Sequence, residues 1–255
     1  MNQRAFTLVE LSVVLVIIGL LAGAILAGQS FIRAAQLRGV ASEFTKYQSA
    51  FMTFSEEYSG LPGDLKNAQT YWGVAPSCPG DYTTPAVDSK TCNGDGNNVT
   101  NVAERYRFWQ HLANAGLIEG RYIGVPAIAG TASLTAAAAG TAVPASKINS
   151  AMYQVAMMPD FTASNIYNST ERRHGIFLVG NASAQVGSPA GVLTPEETWN
   201  LDTKIDDGKP GNGKLMHMTP SSATVGACVS GTDPYAARYD TTNGNKTCAP
   251  YFMID

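Results

Sequence analysis

Charge is scarce in this sequence, and neither sign dominates. Asp, Glu, Lys and Arg make up 15% of 255 residues, with 17 basic against 20 acidic side chains and a formal net charge of -3. Without a basic excess there is no electrostatic footprint for nucleic acid, so no such partner is expected. Histidine is scarcer still. His111, His174 and His217 stand far apart, and none has a metal-ligand or triad partner at a recognisable spacing. They read as packing or surface residues. No G-x-S-x-G, H-E-x-x-H or phosphate-binding glycine loop occurs. The chain offers no catalytic constellation, and the role it suggests is not enzymatic.

Charge and proline are both missing from Leu11 to Gly28, a run of mostly Val, Leu, Ile, Ala and Gly. A membrane helix needs about 20 such residues. A cleaved secretory signal is the competing reading, with "AGAILAG" offering small residues for cleavage near Ala27 or Gly28. Its n-region is short and its apolar run long, however. Arg4 lies before the run and Arg33 and Arg38 after it, so the positive-inside rule gives no clear orientation. Glu10 is the only charged residue between Arg4 and Arg33. A carboxylate there costs up to about 2.5–3.5 kcal/mol at mid-bilayer and less near the edge.

Beyond the run, Leu37, Val40, Phe44, Tyr47, Phe51, Phe54 and Tyr58 recur three and four apart, with Arg38, Glu43, Lys46, Glu56 and Glu57 off that stripe. This is one apolar face of a helix, ended by the Gly and Pro of "SGLPGD". One continuous helix from Phe6 to Tyr58 would be about 80 Å long. A membrane anchor thus runs directly into the spine of a domain.

"FTLVELSVVLVIIGLLAG" resembles the N-terminus of type IV pilins and type II secretion pseudopilins, and the likeness extends over residues 1–58. The resemblance implies a leader of residues 1–5, cut by a prepilin peptidase between Ala5 and Phe6, with methylation of the Phe6 amine. Glu10 is then the fifth mature residue, which in this family pairs with the amine of a neighbouring subunit. Such a charge is costly in a lone subunit and relieved by assembly. The family usually has glycine where Ala5 stands, and many members carry a proline about twenty residues into the mature helix, where this chain has only Gly19, Gly23 and Gly28. The second departure sets the chain apart from the best-known pilins and from the major secretion pseudopilin. The resemblance also implies an inner-membrane assembly platform, other pilin-like subunits as partners, and a periplasmic globular domain.

The expected division is therefore a leader at 1–5, a membrane or filament-core half-helix at 6–28, an amphipathic half at 29–58 and a globular domain at 59–255. That domain reads as α+β. "RYRFWQHLANAGLI" is helical, and Thr194-Pro-Glu-Glu197 is a capping box opening "EETWNLDTKI". "MYQVAMM", "HGIFLVG", "KLMHM" and "YFMI" fit strands. "VPAIAGTASLTAAAAGTAVPA" reads as a surface loop, with a short strand as the alternative. An antiparallel sheet on the helical stripe would bury these runs, and pilin-like proteins have that fold. Cys78, Cys92, Cys228 and Cys248 include no C-x-x-C pair. Beyond a membrane segment their even count suggests disulfides and an oxidising compartment. Short loops favour Cys78–Cys92 and Cys228–Cys248 over the two other connectivities. The four N-x-S/T sequons, at Asn98, Asn168, Asn181 and Asn245, carry little weight in so Asn-rich a chain.

"CNGDGNNVTNVAE" carries the most chemistry. Numbered as a twelve-residue calcium loop it puts Asn93, Asp95, Asn97, Asn101 and Glu104 at ligand positions 1, 3, 5, 9 and 12, with the Val99 carbonyl at 7. Position 1 is Asn rather than Asp, and the turn glycine of position 6 is Asn98. Asn tolerates positive φ, which keeps the turn feasible. An Asn/Gly turn held by Cys92 is the plain alternative to calcium. Asp202, Asp206 and Asp207 form a second acidic group, read as a solvated helix end rather than a second cation site. The expected function is a filament subunit of a type II secretion pseudopilus. A type IV pilus subunit is the alternative, and a membrane-anchored periplasmic calcium-dependent binding protein or enzyme the rival.

Overall fold

The computed structural model describes residues 7–76, 78, 88–98, 102–125, 139–157, 174–185, 188–217 and 226–254. Its spine is α1, Leu8–Tyr58, one unbroken helix of 51 residues. Thr7 is the N-cap, and the left-handed Ser59 (φ 51°) ends the helix in place of the glycine that follows it. No proline interrupts α1, which explains its continuity. Side chains from Leu8 to Ile32 stand exposed on all sides. The stripe in the second half is buried at Val40, Phe44, Tyr47, Phe51 and Phe54, with Leu37 and Tyr58 at its half-buried ends. Each fully buried aromatic of that stripe stabilises by about 1.5–3 kcal/mol.

Among the described residues three further α-helices follow, α2 (Ala68–Trp72), α3 (Val102–Asn114) and α4 (Pro195–Ile205), and a 3-10 turn at Gly226–Cys228. The strands are β1 (Ala151–Met157), β2 (His174–Gln185), β3 (Ser188–Ala190), β4 (Leu215–Met216), β5 (Val229–Ser230), β6 (Arg238–Tyr239) and β7 (Tyr251–Met253). The main sheet is antiparallel in the order β1-β2-β7-β4, with β3 folded back on β2, while β5 and β6 form a separate pair. The layout is α+β and pilin-like, a long N-terminal helix on a C-terminal antiparallel sheet. The anticipated strands all appear, but "KLMHM" contributes only two residues to the sheet and β2 runs on to Gln185. Most of the small-residue segment at 125–145 lies outside the described residues.

Aromatic contacts fix how the sheet and α3 meet the spine. Phe44 stacks on Phe252 of β7 at 4.7 Å, and Tyr47 meets Trp109 of α3 and Tyr153 of β1 edge-on at 5.0 and 5.1 Å. Glu43, which lies off the apolar stripe, is half-buried and accepts the Tyr153 hydroxyl at 2.7 Å. At the other end of the sheet, the capping box of α4 forms as expected, with Pro195 in the first turn. Glu197 has a second task, because Arg33 of α1 grips its carboxylate with Nε and Nη2 at 2.5 and 2.7 Å. The cysteines join as Cys78–Cys92 and Cys228–Cys248, with Cα separations of 5.4 and 5.1 Å. In chain-entropy terms each closure stabilises by roughly 3 kcal/mol.

Candidate functional site

The first site is the start of α1. The Glu10 carboxylate turns back on its own chain, where Oε2 accepts the Thr7 amide at 2.8 Å and the Thr7 hydroxyl at 2.9 Å. The Thr7 hydroxyl oxygen accepts the Glu10 amide in return, completing a capping box. The acid is therefore less exposed to membrane cost in a lone subunit than its charge alone suggests. The box satisfies two helix-terminal amides, the Thr7 amide through the carboxylate and the Glu10 amide through the Thr7 hydroxyl, and the acid sits where the helix dipole favours a negative group. Ala5 and Phe6 lie outside the described residues.

A second site lies at the far end of α1, where the chain turns back. The loop "CNGDGNN" makes its turn with Gly96 (φ 66°) and Asn98 (φ 60°) in the left-handed region, so Asn takes the position where a glycine was wanted. Asp95 and Glu104 come together, and a third carboxylate, Asp64, joins them from the loop after α1. One oxygen from each lies within 4.8 Å of the others. Asp64 and Glu104 are 2% and 1% exposed. Burial pushes the Asp64 carboxyl up, opposed by the Gly96 and Asn98 amides that it accepts at 2.5 and 2.8 Å. The remaining members of the twelve-residue pattern are placed differently. Asn93 spends its side-chain oxygen on the Gln69 amide of α2 at 2.9 Å, and Asn97 donates to Asp95. Val99 and Asn101 lie outside the described residues.

Two glycines let Asp64 reach this loop. Gly63 has φ +87° and packs against the Glu104 carbonyl, where a Cβ would collide. A Cβ on Gly94 would strike the backbone of Asp64 itself. Such close backbone approach needs residues without side chains. No local spacing in the sequence marks Asp64 as a partner of Asp95. The signal that exists is indirect, an acid flanked by a Gly-rich turn.

Behind this cluster runs a buried polar chain. His111, fully buried, accepts the Gly63 amide on Nδ1 at 2.9 Å, so the ring proton sits on Nε2 and is donated to the Thr91 hydroxyl at 2.9 Å. Thr91 in turn donates to Gln110 at 2.8 Å, and Gln110 to the Lys90 carbonyl at 3.0 Å. Burial first, and the nearby Arg107 guanidinium second, push the imidazole down to about 3. Its folded pKa is thus below the unfolded value near 6.5. Between those limits the unfolded chain binds a proton that the folded chain refuses, so stability is lost as pH falls. The expected slope from this group is ~1.4 kcal/mol per pH unit. Urea melts between pH 7.5 and 4 check it. His111→Gln should melt lower at pH 7.5 but with a flatter acid dependence, and an unchanged slope would show that other groups carry it.

The acidic group at the end of α4 differs from the solvated helix end expected, since Asp202 is fully buried, Asp206 half-buried and Asp207 exposed. Asp202 is buried and accepts the Tyr239 hydroxyl at 2.8 Å and the Gly208 amide at 3.3 Å. Asp206 accepts the Lys214 amide, and Asp207 the Lys209 amide at 2.9 Å. Burial pushes the Asp202 carboxyl up to about 7, with the neighbouring Asp207 and Asp206 carboxylates acting in the same direction. His217 is likewise occupied, accepting the Ala249 amide on Nε2 at 3.0 Å.

Comparison with known proteins bears on the first site. The family model described as the prokaryotic N-terminal methylation motif matches residues 1–26, the stretch that ends inside the exposed half of α1. That motif marks type IV pilins, pseudopilins and their kin. This chain carries the motif at the head of a single long helix that becomes the spine of an α+β domain, a layout similar to that of type IV pilin-like proteins. Among curated proteins and solved structures, none matches the chain.

Proposed function

We propose that this protein is a structural subunit of a type II secretion pseudopilus or a related type IV filament. It waits in the inner membrane with its domain on the periplasmic side and polymerises through the first half of α1. One observation carries the reading. The methylation motif opens a helix whose apolar first half is exposed all round while its second half is the core of the domain. A helix of that length and composition is able to cross a membrane. Packed beside others like it, the same surface would bury its exposed apolar area, which single soluble domains do not leave uncovered. Partners are then other pilin-like subunits, a prepilin peptidase and a membrane assembly platform. The two disulfides suit an oxidising compartment on the domain's side of the membrane.

Processing tests this directly. Mass spectrometry of the mature N-terminal peptide should find it starting at Phe6 with a methylated amine. A mature chain that starts after Ala27 or Gly28 would instead mean a secretory signal, and the filament reading would fall. Deleting the gene separates the two filament types. Loss of secreted enzymes from the medium with surface pili intact supports the pseudopilus; the reverse result supports a pilus in adhesion, motility or DNA uptake.

The convergence of Asp64 on Asp95 and Glu104 favours a second, compatible property, a calcium ion held at the tip of the domain. Hard oxygen donors suit such a cation, and with few carboxylates the affinity would be modest, as in extracellular modules.

A further inference from the structure

Where α1 leaves its exposed apolar stretch, the helix and two loops of the domain enclose an open pocket of about 310 Å³. Gln29, Ile32, Arg33 and Gln36 line it from one face of α1, as their spacing of three and four requires. Asn149 closes it from the loop before β1, and Lys246 from the loop before β7. Arg33 is held in place by the Glu197 carboxylate, the Val192 carbonyl and the Gln36 amide oxygen. Glu197 therefore offsets one cation, and the exposed Lys246 gives the pocket its surplus positive charge. Gln29, Gln36 and Asn149 add amide groups able to donate hydrogen bonds.

The depth of this pocket decides what it meets. Phe31 and Ile32, 75% and 63% exposed, are the last large apolar side chains of the run that starts at Leu8. That run is ~37 Å of helix, against ~30 Å of bilayer hydrocarbon. With the first half of α1 across a membrane, the pocket lies at the level of the lipid phosphates. Further basic groups stand just beyond it on the domain side, Arg38 on the helix and Lys147 against Gly39. The acid facing Lys147, Glu43, is engaged with Tyr153 and the Lys147 amide.

We propose that this pocket seats the phosphate headgroup of an anionic phospholipid while the subunit waits in the membrane, with Lys246 as the charge partner and Ile32 against the glycerol region. The proposal rests on the membrane-anchored reading. A seated headgroup would fix how the domain lies on the bilayer and would have to leave before the helix is drawn into a filament.

The full chain in detergent, mixed with short-chain phosphatidylglycerol or phosphatidylcholine, is read by native mass spectrometry. Phosphatidylglycerol should be retained more strongly, and Lys246→Gln should cut that preference about fivefold, the effect of one basic residue at a membrane surface. Lys246→Glu should abolish it, with circular dichroism confirming an unchanged fold. Equal retention of both lipids, or a preference that survives both variants, overturns the proposal. Displacement of the lipid by equimolar inorganic phosphate would overturn the lipid as ligand in favour of the free anion. If Lys246→Glu leaves lipid retention unchanged but lowers filament yield, the pocket belongs to a contact between subunits and the lipid proposal fails. Failure of the anchor itself reads differently, as a chain that does not sediment with vesicles of any composition.

Discussion

Glu10→Ala is expected to leave the subunit in the membrane at or above its normal level while nearly eliminating it from sheared filaments. The geometry at the start of α1 explains why both halves of that result belong together. In the lone chain Glu10 is satisfied by Thr7, so its removal costs the helix a cap and little more, about 0.5–2 kcal/mol. In the proposed filament the same carboxylate would face the methylated, positively charged N-terminal amine of a neighbour in a low-dielectric setting. Removing one partner of a buried pair costs roughly 3–5 kcal/mol, which would lower incorporation by about a hundredfold or more. Glu10→Gln separates the two roles, because glutamine at this position still supports a capping box but carries no charge. If the glutamine variant assembles as well as the wild type, Glu10 acts as a cap and does not set the register between subunits. The comparison to make is subunit in the membrane fraction against subunit in the sheared fraction.

How far the sequence discloses this molecule depends on the range of each interaction. The stripe from Leu37 to Tyr58 is legible because three- and four-residue spacing is a property of one helix, and the structure buries its central residues. The Thr194–Glu197 box is legible for the same reason, since both its hydrogen bonds close within three residues. What Glu197 also does is not. Its grip by Arg33 spans 164 residues, and nothing near either residue announces the other. Strands β3, β5 and β6 have two or three residues each, too few for an alternating pattern to register. The acidic site divides along the same line. Asp95, Asn98 and Glu104 could be placed from local spacing, whereas Asp64 arrives through a tertiary approach that Gly63 and Gly94 permit.

That division sets up the calcium experiment, which local and tertiary readings of the site answer differently. The full chain in detergent is expected to melt higher in millimolar calcium than in chelator. At a hundredfold excess over the dissociation constant, binding to the folded state alone stabilises by about 2.7 kcal/mol. For a domain of this size that is ~5–10 °C. Magnesium should do much less, because it demands a tighter octahedral shell. Glu104→Gln should remove most of the calcium shift and leave the chelated protein folded, since the Cys78–Cys92 disulfide still ties the loop. Asp64→Asn should likewise remove the calcium shift, and in chelator it should melt somewhat lower than wild type, because the Gly96 and Asn98 amides bind different oxygens of Asp64 and asparagine keeps an acceptor for only one of them. Asn93→Ala is the discriminating variant. Its side-chain oxygen is bonded to Gln69, so it should lower the melting point in calcium and in chelator alike and preserve the difference between them. Loss of the calcium shift in Asn93→Ala with its retention in Asp64→Asn would return the site to the twelve-residue local pattern. Identical melting of the wild type in calcium and in chelator would leave Asp64, Asp95 and Glu104 as groups that only brace the turn.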